Sequence, residues 1–140
     1  MEKKPIMDLK IDFNGPVVSL KGEVADVVMI PFKGTVKGEI FNGIIEPCGV
    51  DTQVLNAVKV RHMSARYMLT GRDSAGEDAH IYVENNGWFD ESRPSEGGSF
   101  LTVPTFYTDS AVLAPYLHTN RFTGEGTIEE DGLHIKFYEV

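Results

Sequence analysis

Residues 122–140, FTGEGTIEEDGLHIKFYEV, decide the fold class. Leu133, Ile135 and Phe137 alternate with His134, Lys136 and Tyr138, the period of two that sends successive side chains to opposite faces of a β-strand. Asp131-Gly132 stands just before them, and both residues tolerate the positive φ that a tight hairpin turn demands. The spacing therefore predicts a hairpin of 122–130 with 133–140.

Working outward, the same alternation recurs between clusters of Gly, Pro, Asn and Asp. Ala79, Ile81 and Val83 alternate with His80, Tyr82 and Glu84, which pairs 79–86 with 58–70 across the polar turn GRDSAGED. Further strands are expected at 6–13, 16–23, 26–32, 34–46 and 100–107, with Gly38 and Gly43 at bends or bulges. Only 108–117 reads as helical, with Asp109 or Ser110 able to cap it and Pro115 limiting it to about two turns. The segment 90–99 reads as a loop that either covers a site or lies free on the surface. Eight or nine short strands must stack or close on themselves, and closure removes exposed edges. The expected fold is all-β: a small antiparallel up-and-down barrel with one short helix near 109–117, as a single domain over 1–140.

Composition narrows the function classes. The chain has 140 residues, 21 acidic against 13 basic, for a formal charge of −8. Long-range attraction to nucleic acid or anionic lipid is unfavourable. No apolar run approaches the roughly 20 residues of a spanning helix, so the expectation is a soluble, cytoplasmic protein. A single cysteine leaves no internal disulfide.

Three polar strand faces attract notice: His62, Ser64 and Arg66; His80, Tyr82 and Glu84; His134, Lys136 and Tyr138. A solvated outer face is the simpler reading, and a polar lumen covered outside by a second subunit is the sharper one. Cys48, in Pro47-Cys48-Gly49, is either a nucleophile or a turn residue, and the turn is favoured because a thiolate needs an activating neighbour. Three of His62, His80, His118 and His134 could hold zinc, but no pair has a recognised ligand spacing. Neither metal nor cofactor is called for. Asp51 follows the turn, where it can act as base or anchor, or bind its own backbone as an Asx turn.

Taken together, Gly43-x-x-x-Pro47-x-Gly49-x-Asp51, Ala65-Arg66-Tyr67, Asp73-x-x-Gly76 and Ile81-x-Val83-x-Asn85-x-Gly87 form an ordered series. Thr102-x-Pro104-x-Phe106, Leu117-x-x-Asn120-x-Phe122-x-Gly124 and a terminal Phe137-Tyr-Glu-Val140 continue it. The series resembles the bacterial and fungal family known as domain of unknown function number thirty-two thirty-seven. The resemblance implies a small antiparallel β-barrel and brings no agreed activity. Cys48 stands where the family generally has glycine, so no family-wide mechanism depends on that thiol.

The leading expectation is a small-molecule pocket inside the barrel or at its mouth. If catalytic, it would perform cofactor-free isomerisation, cyclisation or dehydration beside a carbonyl, with Asp51 as base and Arg66 holding a carboxylate or enolate. Tyr67, Tyr82, Asn85, Thr102, Phe106 and Asn120 are the binding candidates. The alternatives are a non-catalytic carrier of an apolar metabolite, with the His/Arg/Tyr face outside, or a structural subunit of a homo-oligomer.

Overall fold

The computed structural model describes residues 3–94 and 98–140. Nine strands run β1 Met7–Phe13, β2 Val18–Lys21, β3 Ala25–Lys37, β4 Phe41–Asn56, β5 Val60–Asp73, β6 Asp78–Asp90, β7 Phe100–Thr108, β8 Phe122–Glu129 and β9 Gly132–Glu139. They form one antiparallel sheet in the order β1-β9-β8-β7-β6-β5-β4-β3-β2. Pairing of β1 with β3 closes eight of them into a barrel and leaves β2 outside, hydrogen-bonded to β3 alone. The up-and-down barrel expected from alternation is the observed fold.

Both predicted hairpins form. Glu129 pairs with Gly132 across the final turn, where Gly132 has a φ of 125°. In the β5–β6 turn, Asp73 Oδ1 accepts from the Ala75 and Glu77 amides at 2.9 and 3.1 Å, and Gly76 takes a φ of 79°.

Three expectations need correction. The Pro47-Cys48-Gly49 segment is not a turn but part of the 16-residue β4, and Cys48 is exposed there. Between Ile45 and Val50, β4 spends five positions against the three that β5 spends between Leu69 and Arg66. This bulge holds Pro47, whose lack of an N–H is harmless where the ladder is already broken. The expected strand break near residue 33 is absent: one long β3 runs through it opposite the same bulge of β4, and the chain reverses at 38–40 instead. The helix is the third case. Within 108–117 the α-helix α1 spans Ala114–Leu117 alone, and Pro115 lies in its first turn, where a missing N–H costs nothing. Pro115 starts this helix rather than limiting it. Ser110 does serve the preceding turn, its Oγ accepting from the Leu113 amide at 3.1 Å. Asp109 is turned away to His80. Of the expected 90–99 loop, residues 95–97 lie outside the described residues.

The barrel is filled unequally. At one end Met7, Phe41, Leu69, Ile81, Phe106 and Phe137 are fully buried, and Leu113 and Leu117 close that end from the helical segment. Phe106 packs edge-on against both Phe122 and Phe137, at centroid distances of 5.3 and 5.1 Å. The other end is not filled, and there the interior opens into a cavity.

Candidate functional site

The cavity measures about 200 Å³. Its wall is mainly apolar, from Ile11, Phe13, Ile30, Phe32, Met63, Phe100, Ile128, Leu133 and Ile135 among others, interrupted by Asp51, Gln53, Asn85 and Thr102. Strand register explains why these polar groups converge. Asp51 of β4 lies opposite Ala65 of β5, and Ala65 lies opposite Asn85 of β6, so the two polar side chains flank a small central residue. Thr102 of β7 faces Gly124 of β8, where an added Cβ would collide with the Thr102 hydroxyl. Gly126 makes the same allowance for the Phe100 ring. The glycines of β8 thus let Thr102 and Phe100 lie across the lumen.

Four polar atoms in this region lack partners among the described residues: Asp51 Oδ1, Asn85 Oδ1, Thr102 Oγ1 and the Tyr67 hydroxyl are buried and make no hydrogen bond to them. A buried polar group left unpaired costs about 1–3 kcal/mol, so four such groups from adjacent strands form a reservoir of unmet bonding. Asp51 is held from one side only. Gln53 Nε2 donates to Asp51 Oδ2 at 2.7 Å, Arg61 Nη1 donates to Gln53 Oε1 at 3.2 Å, and Arg61 Nε donates to Glu91 Oε2 at 2.9 Å. This chain runs from the surface to the carboxylate and leaves Oδ1 bare.

Burial pushes the Asp51 carboxyl above the ordinary carboxylate range, while the Gln53 bond and the Arg61 charge pull it back in part. Burial also raises Tyr67, and the Asp51 charge raises it further, so its hydroxyl keeps its proton. A carboxyl and a neutral phenol that can donate a hydrogen bond are thus electrostatically coupled. Phe32 packs edge-on to Tyr67 at 5.2 Å and fixes the ring.

The site residues expected from sequence divide in two. Asp51, Asn85 and Thr102 line the cavity, and Tyr67 is buried within the electrostatic reach of Asp51. Arg66 is not brought to them. Its side chain is on the outer face, 68% exposed, with Nη1 3.9 Å from Glu84. Tyr82 is also outside, donating to Glu84 Oε1 at 2.9 Å. Phe106 belongs to the packed end of the barrel, and Asn120 is structural: at a φ of 52° its Oδ1 accepts from the Phe106 amide at 2.8 Å. Adjacent residues of a strand must face opposite ways, so Arg66 and Tyr67 could never both have entered the lumen.

Sequence reading missed Gln53, Arg61 and Glu91, although Gln53 shares the face of Asp51 by parity. The histidines are dispersed over separate strands and the helical segment's end: His62 stacks on Trp88 at 4.4 Å, His80 meets Asp109, His118 accepts from the Thr108 amide, and the largely covered His134 joins Asp8 and Asp131. Among the described residues no group of three His, Cys, Asp or Glu could hold a metal ion.

Residues 1–140 match the family described as protein of unknown function (DUF3237). The chain belongs to this family. A UPF0311 protein of Clostridium acetobutylicum is 34% identical over 127 residues, covering 80% of this chain and 76% of that protein. The crystal structure of a protein of unknown function from the same species superposes with a TM-score of 0.76 at 28% identity, covering 100% of this chain and 99% of that one. A second, from Rhodopseudomonas palustris, gives 0.71 at 26% identity, covering 99% and 96%. The resemblance drawn from the ordered motifs is therefore correct. DUF3237 membership secures the barrel and leaves function to the cavity's chemistry. No helix of the described residues is long and apolar enough to cross a membrane.

Proposed function

We propose that the cavity at the open end of the barrel is a small-molecule site in which Asp51 acts as the acid–base group of a cofactor-free proton transfer beside a carbonyl. The observation that carries this reading is Asp51 itself: a half-buried carboxylate in the wall of a mainly apolar cavity, anchored through one oxygen, with the other buried and unpaired. Burial raises its carboxyl above the ordinary carboxylate range, and a carboxyl so perturbed suits the proton transfers of isomerisation, cyclisation or dehydration. Oδ1 would accept the proton, and the hydroxyls of Thr102 and Tyr67 would donate to the oxygen on which charge develops. Arg66 has no part in this chemistry.

A carrier role is the second reading, favoured by the outward His/Arg/Tyr face and the mainly apolar cavity wall. Native mass spectrometry of freshly purified protein, followed by turnover assays on any retained ligand, separates the two. An enzyme exchanges or converts the ligand, and Asp51→Asn lowers the rate by about a hundredfold or more. A carrier releases it unchanged, and retention of full turnover by Asp51→Asn would refute the catalytic reading.

A further inference from the structure

Resting on that ligand-site reading, we infer that the cavity's occupant is an uncharged, largely apolar molecule that presents a hydroxyl group to Asp51, Asn85 and Thr102, and that carboxylic acids are excluded. The inference comes from matching the cavity's bonding inventory against a carboxylate, an ammonium and a hydroxyl.

A carboxylate fails on charge. Among the described residues that line the cavity, Asp51 is the ionisable one, it is acidic, and none is cationic. Arg61, the cation that acts on Asp51, is turned to Glu91 through Nε and Nη2 and to Gln53 through Nη1. Arg66 lies on the far side of the sheet. An incoming anion would therefore meet a carboxylate with no free counter-charge, in surroundings that screen poorly.

An ammonium fits the acceptors but not the donor. It only donates, so it could serve Asp51 Oδ1 and Asn85 Oδ1, yet it can take no bond from the Thr102 hydroxyl. A hydroxyl both donates and accepts. It can give its proton to Asp51 Oδ1 or Asn85 Oδ1 while its oxygen takes a bond from Thr102, matching a mixed set of orphaned acceptors and a hydroxyl. The remaining wall asks for hydrocarbon: Ile11, Phe32, Met63, Phe100 and Ile135 enclose the polar groups. An apolar cavity of roughly 150 Å³ holds benzene. At about 200 Å³, this one takes a single ring with a small polar substituent.

Four probes of one shape test the class: toluene, benzyl alcohol, benzylamine and benzoate, titrated into the full-length isotopically labelled protein while the amide resonances of Ala65, Asn85 and Thr102 are followed. Benzyl alcohol is expected to bind most tightly, by about tenfold or more over toluene and over both ions. Thr102→Val, which keeps the side chain's shape and removes its hydroxyl, should shrink the advantage over toluene severalfold, and Asp51→Asn should do the same for discrimination against benzoate. Benzoate or benzylamine binding best, or toluene equalling the alcohol, overturns the hydroxyl assignment while leaving the cavity as a ligand site. If none of the four moves those resonances, the ligand-site reading falls with it.

Discussion

Asp73 and Asp51 are both aspartates of barrel strands, at opposite ends of the same lumen, and they are treated oppositely. Asp73 is saturated: Oδ1 takes the Ala75 and Glu77 amides, and Oδ2 takes the Ser110 hydroxyl at 2.6 Å. Those bonds, Ser110 first, pull its carboxyl below the ordinary range. Asp51 receives one side-chain bond, keeps one oxygen bare, and is pushed upward by burial. The first anchors the turn and the helical segment that close the packed end. The second keeps its unspent bonding capacity in a cavity. A carboxylate whose valences are filled by its own chain serves the fold, whereas one left incomplete beside empty apolar space is available to a ligand.

The sharpest way to break this contrast is to open the packed end. Phe106→Ala removes a ring enclosed by Phe122 and Phe137 and should cost about 3–5 kcal/mol in urea unfolding. A cost under 1 kcal/mol would mean that this end is no better packed than the open one. Ser110→Ala comes next, expected to cost roughly 1–3 kcal/mol, because Asp73 Oδ2 and the Leu113 amide both lose their partner.

The two carboxylates should also separate by the sign of their pH dependence. Asp73, with its lowered pKa, lends stability that is full above the unfolded carboxylate value and is lost as pH falls through the folded one. Asp51, with its raised pKa, binds its proton more tightly when folded, so its contribution declines as pH rises from the unfolded value through the folded one. Asp51→Asn should therefore gain stability relative to the parent at about pH 8 and lose that gain at about pH 3, as read from denaturation midpoints. A gain independent of pH would show that the carboxyl is not perturbed by burial. The smallest effect belongs to Arg66→Ala. Its exposed pair with Glu84 should be worth less than about 0.5 kcal/mol, and ligand affinity in the cavity should not change. A tenfold loss of affinity would place Arg66 in the site after all.

Much of the fold was legible because hairpins are local. Asp131-Gly132 and the 71–78 turn set register within a few residues, and Leu133, Ile135 and Phe137 declared their face by hydrophobicity alone. The β4 bulge was not legible: Pro47-Cys48-Gly49 has the composition of a turn, and only pairing on both sides with β3 and β5 keeps it in a strand. Pro115 misled for a similar reason, since proline can begin a helix as readily as end one.

The candidate site was legible in part. Asp51, Asn85 and Thr102, candidates from the sequence, line one cavity, whereas Arg66, grouped with them, faces outward because its neighbour Tyr67 faces the interior. Gln53 and Arg61 escaped notice because long polar side chains near strand ends usually serve the surface, and here they reach inward as a chain to Asp51.

Alternation along each strand, the hairpin turns and the ordered family motifs lie in the sequence, and they determined an antiparallel barrel. Alternation gives parity without direction: it says which side chains share a face, never which face is enclosed. That was decided by closure of β1 onto β3, which turned Asp51, Asn85 and Thr102 inward, sent Arg66 and the histidines outward, and left the space beside Asp51 unfilled.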